Sequence, residues 1–102
     1  MEELTKDTFA EKTKEGRCIV DFWAPWCGPC KVQGPILEQA DKEHDGVEFY
    51  KVNVDNNREL AQESGVSGIP TLILYKDGKE VYRQSGVMTK DQLDKALKEH
   101  LA

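Results

Sequence analysis

The alternation of apolar and polar residues along the chain predicts a series of strands. A nearly continuous apolar run over residues 18–24 is the pattern of a central strand covered on both faces. Residues 47–54 alternate as expected for a strand with two different faces, and residues 71–75 form another buried-type strand. Residues 80–85 are more polar, which suits a strand at the edge of a sheet.

Helical periodicity and capping signals predict helices between these strands. Thr5 is the expected N-cap of a first helix that runs to about Glu15. A second helix is predicted over residues 28–44, and its apolar stripe is expected to consist of Val32, Ile36, Leu37 and Ala40. A short third helix covers residues 58–64, and a capping box at residues 89–92 opens the last helix.

The order of these elements predicts the fold class. A very short strand at residues 2–4 is followed by helices and strands in alternation, which implies a largely parallel sheet with helices on both faces. A hairpin around Asp77-Gly78 adds an antiparallel edge. We therefore predict an α/β protein with a central mixed, mostly parallel sheet of four to five strands flanked by four helices, in one domain over residues 1–102.

Composition and charge exclude several classes of partner. The 102 residues carry a net charge of −5 with basic and acidic side chains interspersed, so we expect no nucleic-acid partner. No apolar run approaches the roughly 18 residues of a membrane helix, so we expect no membrane partner. The first residues resemble no signal peptide and favour a cytoplasmic protein, although a processed protein expressed without its leader would look the same. We also expect a monomer.

The segment around Cys27 and Cys30 carries the clearest chemical signal. Two cysteines three positions apart at the start of a helix lie on one face, so their sulfur atoms can meet. The positive end of the helix dipole favours the reactive thiolate form of Cys27, and we expect Cys30, one turn in, to be more shielded. Gly28 permits a tight turn, and Pro29 fits a first helical turn.

Other roles for these cysteines are possible. A structural zinc site needs four ligands, and the chain offers no second paired-ligand motif, so we expect no metal. A buried structural disulfide is the other alternative. Three cysteines are too few for a disulfide framework, and Cys18, within the apolar strand, is expected to pack as a small hydrophobic residue.

Asp21 interrupts the apolar strand that leads to the cysteines. An unpaired buried charge is unfavourable, so this carboxyl group is expected to have a raised pKa or a partner. The alternative is a strand-edge carboxylate that faces water.

Together these residues resemble the thioredoxin family. The resemblance rests on WCGPC after an apolar strand, Asp21 in VDFWA, Pro35 in the following helix, the segment Gly68-Ile69-Pro70-Thr71 and Gly86. It implies the thioredoxin fold and protein-disulfide reduction through a reversible Cys27–Cys30 disulfide, with no bound cofactor. It also implies disulfide-containing protein substrates and recharging by a separate reductase, most often a flavoprotein that uses NADPH.

The resemblance also implies roles for individual residues. Cys27 attacks the substrate, Cys30 resolves the mixed disulfide, and Asp21 accepts a proton with Lys51 nearby. The segment Ile69-Pro70 matches the family's cis-proline loop beside the dithiol. The substrate surface is expected to consist of Trp26, Gly28, Pro29, Gly68, Ile69, Pro70, Gly86 and Val87.

Three further alternatives are open. The same fold supports an oxidase or isomerase, which the reduction potential would distinguish from a reductase. It also supports a binding module that docks partners on its apolar surface independently of the redox state. Trp26, finally, could be an ordinary core residue rather than an exposed contact residue.

Overall fold

The computed structural model describes residues 1–102 and confirms the predicted order of elements. The strands are β1 (Glu2–Leu4), β2 (Arg17–Trp23), β3 (Val47–Asn53), β4 (Thr71–Lys76) and β5 (Lys79–Ser85). The helices are α1 (Phe9–Thr13), α2 (Gly28–Glu43), α3 (Arg58–Glu63) and α4 (Lys90–His100). No helix combines the length and the apolar character that crossing a membrane requires.

The five strands form one mixed sheet in the order β1-β3-β2-β4-β5. β1, β2 and β3 run parallel to one another, whereas β4 is antiparallel to both β2 and β5. Four strands therefore point the same way, which confirms the predicted mostly parallel sheet. The hairpin of β4 and β5 forms an antiparallel edge, as predicted, and β4, the reversed strand, lies between β2 and β5.

The direction of β4 follows from the place where the chain re-enters the sheet. After β3 ends at Asn53, residues 54–70, which include the six-residue α3, return the chain to the same end of the sheet. Thr71 accordingly pairs with Phe22, close to the end of β2.

The core divides into two clusters, one on each face of the sheet. Helices α2 and α4 pack on one face, where the cluster includes Ile19, Leu37, Phe49 and Leu93. Helices α1 and α3 cover the other face, where Val20, Phe22, Val52 and Leu60 are buried. Because side chains alternate along β2, Asp21 and Trp23 lie on the same face as Ile19, beneath α2.

The first helix begins later than predicted. Its N-cap is Thr8, which makes no side-chain capping bond, and regular helix starts at Phe9. The Thr5 hydroxyl instead accepts a hydrogen bond from the Asp7 amide at 3.2 Å, and the Thr5 amide donates to the Thr8 hydroxyl at 2.9 Å. These bonds hold residues 5–8 in a turn, so the prediction of Thr5 as N-cap is wrong.

The buried face of α2 also differs from the prediction. Its buried residues are Cys30, Gln33, Leu37 and Ala40, whereas Val32 is 58% exposed. Val32 lies two residues beyond Cys30, about 200° around the helix, and so faces away from the sheet. Gln33 takes the position in the buried stripe that the sequence pattern assigned to Val32.

The last turn of α4 is attached to the start of β2. The Arg17 guanidinium donates a hydrogen bond to the Leu101 carbonyl at 2.7 Å, and the Lys76 ammonium donates to the Ala102 carbonyl at 3.3 Å. Arg17 is the first residue of β2, and Trp23 is the last. The final residues therefore lie at the end of the sheet where β2 begins, opposite the end that carries the cysteine pair.

Candidate active site

A disulfide joins Cys27 and Cys30 at the start of α2, with a Cα–Cα distance of 5.2 Å. Cys27 is the N-cap residue, with extended backbone, and a proline follows in the first helical turn. The Cys30 amide donates a hydrogen bond to the Cys27 sulfur at 3.2 Å. The sulfur thus occupies the place of a capping oxygen, where the helix terminus favours negative charge.

The two cysteines are equally buried. Their exposed fractions are 4% for Cys27 and 5% for Cys30, so the expected greater shielding of Cys30 is wrong. Their surroundings distinguish them instead. The Cys27 sulfur lies 3.8 Å from the Ile69 carbonyl oxygen, and Cys30 lines a cavity together with Asp21.

Asp21 is buried beneath α2 and has an unpartnered carboxylate oxygen. The residue is 3% exposed, and its Oδ1 atom accepts no hydrogen bond. Burial raises the pKa of this carboxyl group to about 7, and the positive charge of Lys51 opposes part of that rise. The prediction of a raised pKa is confirmed, and the alternative of a carboxylate that faces water is wrong.

Lys51 is the register partner of Asp21 on the neighbouring strand β3. Its ammonium group lies 5.1 Å from the centroid of the Trp23 ring, within the range of a cation–π contact. The predicted pairing of these strands therefore brings the carboxyl group and the ammonium group to one side of the sheet.

A cavity of about 310 Å³ connects these groups. Asp21, Trp23, Cys30 and Lys51 contribute to its lining. The indole nitrogen of Trp23 is also buried without a hydrogen-bond partner. This volume exceeds that of several water molecules, so protons can be exchanged between the cavity and a buried group at its wall.

The loop before β4 lies against the cysteine pair. The Ile69–Pro70 peptide bond is cis, as the resemblance implied. Ile69 packs against the small cluster that contains both cysteines. The Thr71 hydroxyl donates to the Gly68 carbonyl, and the Gly86 amide donates to the Pro70 carbonyl at 2.8 Å. These contacts join the loop of Gly68 to the start of the segment after β5.

Trp26 is an exposed residue beside the cysteines. Its side chain is 68% exposed, and its indole nitrogen donates a hydrogen bond to Asp55 at 2.9 Å. The alternative that Trp26 belongs to the core is therefore wrong. Gly28, Pro29, Gly68 and Gly86 are also exposed, whereas Ile69 and Val87 are half-buried and Pro70 is buried.

Two residues at the site were not identified from the sequence. Asp55 orients Trp26, and Gln33 joins α2 to Met88 through two hydrogen bonds. The spacing of Gln33, three residues after Cys30, placed it on the same helix face and could have indicated its burial. Nothing in the neighbouring sequence indicated the contact of Trp26 with Asp55 or that of Gln33 with Met88.

An α/β fold with a disulfide-bonded cysteine pair at a helix N-terminus is typical of the class of dithiol–disulfide oxidoreductases. Comparison with known proteins specifies the family. The family model described as "Thioredoxin" matches residues 1–99. The chain belongs to the thioredoxin family.

Individual relatives agree along nearly their whole length. The chain is similar to the protein named "Thioredoxin" of Bacillus subtilis, with 44% identity over 95% of this chain and 94% of the relative. It is 45% identical to that of Chlamydia muridarum, over 95% of both chains. It is 38% identical to that of Listeria monocytogenes, over 99% of both chains.

The family and the cysteine pair together establish the activity. The protein is a protein-disulfide oxidoreductase that works by dithiol–disulfide exchange, and the pair itself cycles between dithiol and disulfide, since the family uses no bound cofactor. Members of the family act on disulfide-containing substrates, and a reductase returns their cysteine pair to the dithiol form. The predictions of family, fold class and activity are confirmed.

Proposed function

We propose that the protein is a disulfide reductase in which Cys27 is the attacking thiolate and Cys30 the resolving thiol. The observation that carries this assignment is the hydrogen bond from the Cys30 amide to the Cys27 sulfur at the helix N-terminus. In the reduced protein the same amide and the helix dipole stabilise a thiolate on Cys27. No equivalent backbone donor reaches the Cys30 sulfur.

The exchange proceeds in two balanced steps. The Cys27 thiolate attacks one sulfur of the substrate disulfide, and the second substrate sulfur leaves as a thiolate. Cys30 then loses its proton and attacks the Cys27 sulfur, which releases the first substrate sulfur. The substrate gains two electrons and, after protonation, two thiols, while Cys27 and Cys30 become a disulfide.

We propose that Asp21 accepts the proton that Cys30 loses. A carboxyl group with a pKa of about 7 is close to half ionised at neutral pH, as a general base requires. Asp21 and Cys30 line the same cavity, so the proton can pass through that cavity. Lys51 limits the rise of the Asp21 pKa and so keeps part of the population ionised.

We propose that the substrate lies in a groove beside Cys27. On one side Trp26, Gly28 and Pro29 are exposed; on the other lie Gly68, Ile69, Pro70, Gly86 and Val87. An extended substrate segment would pair with the backbone groups of Ile69 as an added strand. The apolar surfaces of Trp26, Ile69 and Val87 would contact its side chains.

We propose one domain that acts as a cytoplasmic monomer and is recharged by a separate flavoprotein reductase with NADPH. The net charge of −5 opposes self-association. Cys18 is buried and forms no disulfide, and the chain has a single redox pair. This use of cysteine is typical of proteins in a reducing compartment.

Trapping of the mixed disulfide tests the assignment of the two cysteines. The Cys30→Ser variant should accumulate a covalent complex with a substrate disulfide, because the first step proceeds and the second cannot. Cys27→Ser should not. Mass measurement after acid quenching distinguishes the two, and the reverse pattern would overturn the assignment.

The midpoint potential of the pair tests the direction of the reaction. A couple more reducing than the cytosolic glutathione pool supports a reductase, and one well above it supports an oxidase or isomerase. The exposed Trp26 also fits a redox-independent binding module. A Cys27→Ser, Cys30→Ser double variant that keeps full function in cells would favour that second function.

A further inference from the structure

The Gln33 side chain is fully buried between α2 and the segment that follows β5. Its exposed fraction is 0%. Its oxygen accepts a hydrogen bond from the Met88 amide at 2.7 Å, and its nitrogen donates to the Met88 carbonyl at 3.2 Å. The Gln33 amide thus pairs with one residue as a neighbouring strand would.

Met88 depends on this contact. The residue is 1% exposed and lies in a loop of residues 86–89 between β5 and α4. Neither its amide nor its carbonyl group makes another hydrogen bond in the structure. Buried backbone groups without partners are strongly unfavourable, so Gln33 determines where this part of the loop can lie.

The same loop carries Val87, a residue of the proposed substrate groove. At one end of the loop the Gly86 amide is bonded to the Pro70 carbonyl at 2.8 Å. At the other end Met88 is bonded to Gln33. Val87 is therefore held between two fixed points, one beside the cis-proline and one on the helix that carries the cysteines.

Gln33 also lies on the same helix as the redox pair. It lies three residues after Cys30, on the same buried face of α2. An apolar residue of similar size would fill this position without burying an amide group. What the amide adds is a fixed distance between the cysteine helix and the loop of residues 86–89.

We infer that Gln33 is a positioning residue for substrate recognition, which sets the place of Val87 relative to the cysteine pair. This inference rests on the proposed groove. It assigns to Gln33 a role in binding protein disulfides and none in the chemistry of exchange. A small disulfide that does not reach Val87 should therefore react independently of Gln33.

The Gln33→Met variant tests this role, because methionine keeps the volume and removes both hydrogen bonds. Leu37→Met is the matched control: it lies one turn further along the same buried face and leaves the two hydrogen bonds between Gln33 and Met88 in place. The rate of oxidation of each pre-reduced protein is measured against the concentration of insulin and, separately, of bis(2-hydroxyethyl) disulfide.

We expect Gln33→Met to raise the half-saturating concentration of insulin about tenfold. Without the two hydrogen bonds, the loop of residues 86–89 would adopt the binding position about a tenth of the time. The maximal rate with insulin, the rate with the small disulfide and the midpoint potential should stay at wild-type values. Leu37→Met should match the wild type throughout. An unchanged half-saturating concentration in Gln33→Met, or an equal loss with both substrates, would overturn the inference.

A Val87→Asp variant in the same assay separates this inference from the proposed groove. If Val87→Asp impairs insulin reduction and Gln33→Met does not, the groove stands and the role of Gln33 is wrong. If neither variant impairs it, the groove itself is wrong, and the inference falls with it.

Hydrogen exchange on the wild-type protein provides a measurement that needs no variant. The Met88 amide should exchange as slowly as the amides of β4, although it lies in a loop. Exchange at the rate of exposed loop amides would show that the contact does not hold the loop, and would overturn the inference.

Discussion

An aspartate lies close to each end of helix α2, and the pKa values of the two carboxyl groups are shifted in opposite directions. Beneath its N-terminal end, Asp21 is buried with an unpartnered oxygen, and its pKa is raised to about 7. Beside its C-terminal end, the hydrogen bond from Lys90 lowers the pKa of Asp94. Lys90 also donates to Glu43, and His44 lies 2.8 Å from Asp94.

The end of α2 that has more charged groups around it is not the end that carries the cysteine pair. The C-terminal end has the larger cavity, about 460 Å³ against about 310 Å³ at the cysteines. Glu43, His44 and Asp94 even place three potential ligand atoms within 4.8 Å of one another. There, however, Lys90 compensates the carboxylates, whereas Asp21 has an unpartnered oxygen and a raised pKa. An uncompensated buried group beside a reactive one is the better indicator of function.

The largest expected difference between the two ends is in the rate of disulfide reduction. Asp21→Asn should lower this rate at neutral pH about a hundredfold, because general base catalysis contributes effects of that order. Asp94→Asn should leave the rate unchanged. Stopped-flow oxidation of the pre-reduced proteins measures both, and equal rates for Asp21→Asn and wild type would remove Asp21 from the mechanism.

The two ends should also give stability opposite dependences on pH. Between pH 3.8 and about 7 the folded protein keeps a proton on Asp21 that the unfolded chain has released. The unfolded state then binds fewer protons, so the free energy of unfolding should fall as pH rises through this window, by roughly 4 kcal/mol. Asp94, with its lowered pKa, contributes stability that is lost instead as pH falls below its ordinary range.

Denaturant titrations of the disulfide form across pH 4–8 measure this effect. Asp21→Asn should remove the decrease and be more stable than the wild type at pH 8. Asp94→Asn should retain the decrease. A wild-type protein with constant stability between pH 4 and 7 would contradict the raised pKa of Asp21.

A smaller effect is expected for Lys51. Its positive charge lowers the pKa of Asp21, so Lys51→Gln should raise that pKa further and shift the pH–rate profile to higher pH. Lys42→Gln, at the C-terminal end of α2, is the matched control and should leave the profile in place. A shift to lower pH, or the same shift in both variants, would exclude this role for Lys51.

The smallest effect is expected at the compensated cluster. Asp94→Asn removes the partner of Lys90 and His44 and should lower the free energy of unfolding by about 0.5 kcal/mol at neutral pH. The loss should shrink in high salt, because exposed ion pairs are screened. We expect Asp94→Asn to change the free energy of unfolding less than Asp21→Asn does. A larger change in Asp94→Asn would contradict this expectation.

The local features of the site could be predicted from the sequence. The cysteine pair, its helix N-terminus and the buried Asp21 all lie within ten residues, and each follows from a pattern of strand, turn and helix. The alternation along β3 also placed Lys51 on the face that Phe49 buries. Such features depend on neighbours in sequence, where periodicity carries the information.

The features that were missed depend on distant parts of the chain. Gln33 is drawn into the buried face of α2 by Met88, 55 positions away, and Trp26 is oriented by Asp55, 29 positions away. No local pattern indicates such partners. The direction of β4 is a similar case, because it depends on the path of residues 54–70 and not on the residues of β4 itself.

The attachment of the last turn of α4 to Arg17 has a practical consequence for handling the protein. Ala102 lies near the start of β2, and the redox pair follows the other end of the same strand. A fluorophore, a solid support or a further stretch of chain joined after Ala102 would therefore point the cysteines away from the point of attachment. Molecules immobilised in this way would share one orientation, with their reactive sulfurs facing the solution.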